Sequence, residues 1–213
     1  MSPTPLRSSS IDIHSNAKWI QNGLTVAEGN GDGNGINQLH YPLSLYVDND
    51  QTIYVADQLN HRIVEWKCGA MSGNGRGNSL DQLSCPPYVF VDRDHAVYVS
   101  DHRMMKWEEG AKQGIGVAGG QEEGNSLSQL SYPLGVVVDQ LGTVYVVDCS
   151  NHRIMRWPKG ATHGSVIAGG NGKGRQSNQL NYPSGFSFDR HGNLYVVDWS
   201  NHRVQKFNID SNS

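Results

Sequence analysis

Between residues 129 and 178 the hydrophobic pattern switches on four times, each time over a run too short for a helix. The first run, Gly135 to Val138, is apolar on both faces, which suits an inner strand sandwiched between neighbouring sheets. A turn at Leu141-Gly142 leads to the second, Val144 to Val147. The third, Arg153 to Trp157, has a period of two, with Ile154 and Arg156 on one side and Met155 and Trp157 on the other. The fourth is Ser165 to Ala168. These four strands, a to d, make one unit.

The unit recurs. Tyr195 to Arg203 is written again as Tyr145 to Arg153 and as Tyr54 to Arg62, with a contracted copy at Tyr98 to Arg103. A second phrase, Gln-Leu-x-x-Pro followed by an apolar run and Asp, precedes each copy: Gln38 to Asp48, Gln82 to Asp92, Gln129 to Asp139 and Gln179 to Asp189. Four-stranded units in tandem predict an all-β protein, a β-propeller with one antiparallel unit per blade. The repeats run over about 37–80, 81–127, 128–177 and 178–209.

Spacing locates the irregularities. Pro42 to Pro86 is 44 residues, Pro86 to Pro133 is 47 and Pro133 to Pro183 is 50. One deficit falls between Asp101 and His102, which predicts a clipped b–c turn in the second blade. The other falls between Ala70 and Met71, which predicts a first blade without its outer strand. Residues 17–36 match the back half of a unit, Leu24-Thr25-Val26-Ala27 corresponding to Ser165-Val166-Ile167-Ala168. They are expected to close the last blade, which has no strand d of its own. Residues 1–16 read as a disordered lead and 210–213 as a tail.

The Asp-x-x-Asn-His-Arg turn resembles that of the NHL-repeat family of β-propellers. It is carried by Asp57/Asn60/His61/Arg62, Asp148/Asn151/His152/Arg153 and Asp198/Asn201/His202/Arg203, with Asp101/His102/Arg103 as a degenerate member. The resemblance covers roughly residues 17–209. Family propellers usually have five or six blades, against four here. The family includes propellers of tripartite-motif ubiquitin ligases, which bind RNA or protein, a peptide-amidating lyase, and sensor domains of bacterial kinases. The resemblance therefore implies an adaptor role, in ubiquitin ligation among other settings. The RING and B-box zinc modules of those ligases are absent, since Cys68, Cys85 and Cys149 lack metal spacing.

Composition narrows the chemistry. A net charge of −3 gives no basic field to recruit nucleic acid or an anionic membrane. Neither a signal peptide nor a transmembrane stretch is legible, so the default compartment is the cytoplasm. The once-per-blade histidines, His61, His102, His152 and His202, and the Asp-Arg pairs are expected to brace the b–c turns. No metal, cofactor or catalytic set is expected: there is no nucleophile elbow and no His/Glu metal motif, so the chain is read as non-enzymatic.

Strand parity puts the b–c turns and d–a linkers on one face. There Trp199 fills the variable turn slot where other blades have Gln58-Leu59 or Cys149-Ser150, and it is the first candidate contact. Gln58, Leu59, Lys173 and Arg175 are the others. The expected partner is a protein or peptide, with single-stranded RNA on the same face as the alternative and a metal-dependent lyase or hydrolase in the central channel behind it. Self-association through the incomplete first blade is a further expectation.

Overall fold

A computed structural model describes residues 33–35, 38–47, 52–66, 71–72, 83–92, 94–120 and 122–209. Within them the chain forms four antiparallel sheets, each a simple meander. Blade 1 holds β1 (Pro42–Val47), β2 (Ile53–Asp57), β3 (Arg62–Trp66) and β4 (Met71–Ser72). Blade 2 holds β5 (Tyr88–Val91), β6 (Val97–Ser100), β7 (Met104–Trp107) and β8 (Ile115–Ala118). Blade 3 holds β9 (Pro133–Val138), β10 (Val144–Asp148), β11 (Arg153–Trp157) and β12 (Ser165–Gly169). Blade 4 holds β13 (Pro183–Phe188), β14 (Leu194–Asp198) and β15 (Arg203–Phe207).

The expected loss of the outer strand from blade 1 is corrected. The six missing residues shorten that strand without removing it, because Met71 and Ser72 still pair with Val64 and Ile63. The inner strand of blade 3 starts two residues earlier than the pattern suggests, at Pro133. The predicted disordered lead and most of the closing strand lie outside the described residues.

The core sits between the sheets. One cluster joins blades 1 and 2 through Ala56, Ile63, Val89 and Val99; another joins blades 2 and 3 through Met104, Val136, Val146 and Met155. A third joins blades 3 and 4 through Val147, Ile154, Leu180 and Val196. Each fully buried aliphatic side chain here contributes about 1.5–3 kcal/mol, and none of it exists until two sheets meet. Trp157 is fully buried in the blade 2–3 layer. Its ring lies so close to Gly164 that a Cβ there would come within 2.6 Å, so the c–d loop needs glycine at that point.

Three aspartates with no exposure organise the b–c turns. Asp148 Oδ1 accepts the Ser131 N–H at 2.7 Å, while Oδ2 accepts from Asn151 Nδ2 at 2.9 Å and Arg153 Nε at 2.6 Å. The same side chains then reach the d–a linker: Asn151 donates to the Gly124 carbonyl, and Arg153 to those of Asn125, Ser126 and Gln129. Asp57 with Asn60 and Arg62, and Asp198 with Asn201 and Arg203, repeat every one of these links. Burial holds the Asp148 carboxyl above the usual range, and the bonds from Ser131, Asn151 and Arg153 offset only part of that rise.

Arg153→Ala strands this buried carboxylate and takes the donor from three partly buried carbonyls, so it should cost about 3–5 kcal/mol. Arg203→Ala, at a more exposed guanidinium, should cost distinctly less. Urea unfolding of both variants checks the order, and equal small losses would contradict a network that holds the blade.

Candidate functional site

The b–c turns are single 3-10 turns, Gln58–Asn60, Cys149–Asn151 and Trp199–Asn201, each followed by a left-handed histidine. His61, His152 and His202 have φ of 54°, 55° and 55°, and their N–H closes the turn onto its first carbonyl. The rings of His61 and His152 are used elsewhere. His152 Nδ1 accepts the Tyr182 N–H of the next blade at 3.1 Å, and His61 Nδ1 accepts the Cys85 N–H at 3.1 Å. His61 and His152 thus close their own turns through the backbone N–H and clasp the following blade through the ring. Blade 2 lacks the device: clipping brings Asp101 against His102 at 3.5 Å and Arg103 at 3.9 Å, and Asp101 Oδ2 and His102 Nε2 are buried without a hydrogen-bond partner among the described residues.

The residue clasped is the one before proline. Tyr41, Cys85, Tyr132 and Tyr182 all have φ near 50°, a region costing on the order of 1–3 kcal/mol for a non-glycine residue. At Tyr132 and Tyr182 the kink turns the ring onto the face that carries the b–c turns. There Tyr132, Leu134, Cys149 and Ser150 of blade 3 meet Tyr182, Ser184 and Trp199 of blade 4 around an open cavity of about 440 Å³. His152 packs edge-on against Tyr182, centroids 4.6 Å apart, and Lys173 Nζ stands 5.1 Å from the centre of the same ring. Burial, reinforced by the charge of Asp148, pushes the Cys149 thiol up to about 11.

The structure brings Trp199 to the cavity and Lys173 beside it through Tyr182. Gln58 and Leu59 occupy the equivalent turn of blade 1, away from the cavity. Arg175 contributes a carbonyl to Arg203 in the blade 4 linker. Tyr132, Tyr182, Leu134 and Ser184 were not anticipated as site residues. The available signal was a tyrosine before proline in three of the four repeats, at Tyr41, Tyr132 and Tyr182.

A repeated four-stranded blade clasped to its neighbours defines a β-propeller module. The NHL repeat model matches residues 130–156 and 180–207, and these segments of blades 3 and 4 are NHL repeats. No curated protein matches the sequence. Among solved structures, an auxiliary nutrient binding protein from Bacteroides thetaiotaomicron is 13% identical, with 80% of this chain and 48% of that one covered at a TM-score of 0.61. A gluconolactonase from Xanthomonas campestris is 15% identical, covering 76% and 56% at 0.56. The virginiamycin B lyase of Staphylococcus aureus is 10% identical, covering 80% and 56% at 0.52. The chain spans about half the length of the structures it matches.

These likenesses correct one expectation. Two of these neighbours are enzymes on the same fold, so the lack of a familiar catalytic motif does not make this chain non-enzymatic. Among the described residues, no helix is long and apolar enough to cross a membrane, and no group of His, Cys, Asp or Glu is placed to hold a metal ion.

Two outcomes test this geometry. Cys149 should resist iodoacetamide in the folded protein at pH 8 and become reactive only toward pH 11 or on unfolding, followed by mass spectrometry of its peptide. For His152, burial first and the Lys173 charge second hold the ring's pKa below its ordinary value. Its proton is therefore bound more tightly in the unfolded chain. The contribution is present above about pH 6.5 and is lost as pH falls through the lowered folded value. His152→Gln should flatten that part of the stability–pH curve; an unchanged slope would contradict the clasp.

Proposed function

We propose that the chain is a binding module that takes a protein or peptide segment on its b–c/d–a face, with an apolar side chain seated in the cavity between blades 3 and 4. The observation that carries this reading is the aromatic lining, Trp199, Tyr182 and Tyr132, left exposed around about 440 Å³. Rigid aromatic side chains give large contact area at low entropic cost, and exposed ones grouped round a pocket are the usual anchors of recognition. The volume lies within the range of ligand pockets. Lys173 and the carboxylate of Glu123, which accepts from Ser131 Oγ at 2.5 Å, give this face charges of both signs. That mixture favours a peptide over a phosphate backbone, which calls for clustered cations. The ubiquitin-ligation setting is carried by the family resemblance alone.

Selection of peptides on the immobilised chain, followed by titration of the best binder, tests the reading. Trp199→Ala should weaken binding at least about tenfold, equivalent to about 1.4 kcal/mol, while Leu59→Ala leaves it unchanged. Equal binding by both variants would remove the cavity as the site. Tight, salt-sensitive binding of an RNA homopolymer in place of any peptide would put the nucleic-acid reading first.

A further inference from the structure

The repeats act as internal controls for one another, and they show that both ends of the described blade arc carry uncovered apolar faces. Leu45 on β1 is 65% exposed, whereas its counterparts Val89 and Val136, each covered by a preceding blade, are 2% and 1% exposed. Leu43 and Val47 on the same face are exposed as well. At the opposite end Val204 on β15 is 65% exposed, against 0% for Ile154, its counterpart under blade 4; Val197 is likewise exposed where Val147 is buried. Terminal repeats of a stacked array ordinarily carry a polar outer face. These carry the apolar half-interface of an internal blade.

The clasp is split in the same way. A blade offers histidine Nδ1 to the N–H before proline in the blade that follows. On blade 4, His202 is exposed, with no hydrogen bond to its ring among the described residues, and on blade 1 Tyr41 holds the kinked position with φ of 52°. The two ends are thus complementary halves of an interface of which the molecule already contains three examples. A strand added beside β15, which is an edge strand among the described residues, would extend blade 4 in its own plane and leave both faces open.

We infer that a second copy of this chain covers these faces, blade 4 of each copy packing on blade 1 of the other. The contact is heterologous, and two such contacts related by a two-fold axis close a ring. Two copies of the four described blades give eight, the upper end of the usual range for propellers, and three would exceed it. Closure also builds a second cavity. By the correspondence of repeats, Tyr182, Ser184 and Trp199 of one copy take the places of Tyr132, Leu134 and Cys149. Tyr41, Leu43 and Gln58 of the other copy take those of Tyr182, Ser184 and Trp199.

Sedimentation velocity over a wide concentration range tests this on the full chain. The expected particle has twice the chain's mass. Leu45→Asp and Val204→Asp alter positions exposed in the single chain, so each should keep the circular dichroism spectrum and the unfolding midpoint that the unsubstituted chain has when diluted to the monomer. Each should weaken association about a hundredfold by placing a charge in both junctions. Mixing the two variants is the decisive arm, because each retains the face the other has lost. A particle of two copies that forms only in the mixture supports the head-to-tail contact. A chain that stays monomeric throughout overturns it. So do open-ended polymers, or a two-copy particle indifferent to both variants.

Discussion

A carboxylate with no access to water must be met by donors on every side, and that requirement at Asp57, Asp148 and Asp198 governs the rest of the molecule. The donors come from two stretches of chain. Asparagine and arginine follow within the b–c turn, and a backbone N–H comes from the residue two before the proline. Because the arginine also collects three linker carbonyls, turn, linker and the start of strand a are locked as one body. The kinked tyrosine is the very next residue after the one whose N–H the aspartate takes. The face on which a ligand would dock is therefore held by groups that do not touch it.

Blade 2 shows what happens when the donors are removed. Clipping takes out the asparagine, and Asp101 retains the Arg103 N–H at 2.8 Å while burial pushes its carboxyl up. One of its oxygens finds no hydrogen-bond partner among the described residues. The junction from blade 2 to blade 3 consequently rests on apolar packing through Met104, Val136 and Met155, without the histidine clasp seen on either side.

How much of this was legible depended on whether the signal was local. Asp148, Asn151 and Arg153 lie within six residues and recur, so their pairing could be read from spacing. Arg153 reaching carbonyls 24 to 28 residues away could not, since a backbone acceptor has no sequence signature. The same blindness hid the role of the histidines, whose partner is an N–H in the following blade. Counting residues suggested that β4 was lost, yet two residues suffice for a pair of ladder positions once β3 is in place. Trp199 was legible because it breaks the repeat. Tyr132 and Tyr182 were not, because they obey it.

Residues of chemical character are abundant on this face, and nearly all are already committed. Asp57, Asp148 and Asp198 are met by donors, the guanidiniums of Arg62, Arg153 and Arg203 by carbonyls, and His61 and His152 by backbone N–H groups. What is left to meet a ligand stands at positions the motif does not specify: Trp199 and Cys149 in the turn slot, Ser184 and Leu134 after the proline, Lys173 in the linker. Such a scaffold allows its binding surface to vary without disturbing the fold, which explains how one architecture serves nutrient binding and lyase or lactonase chemistry in proteins sharing so little sequence with this chain. The cavity itself is built at a junction, Tyr132, Leu134, Cys149 and Ser150 coming from one blade and Tyr182, Ser184 and Trp199 from the next.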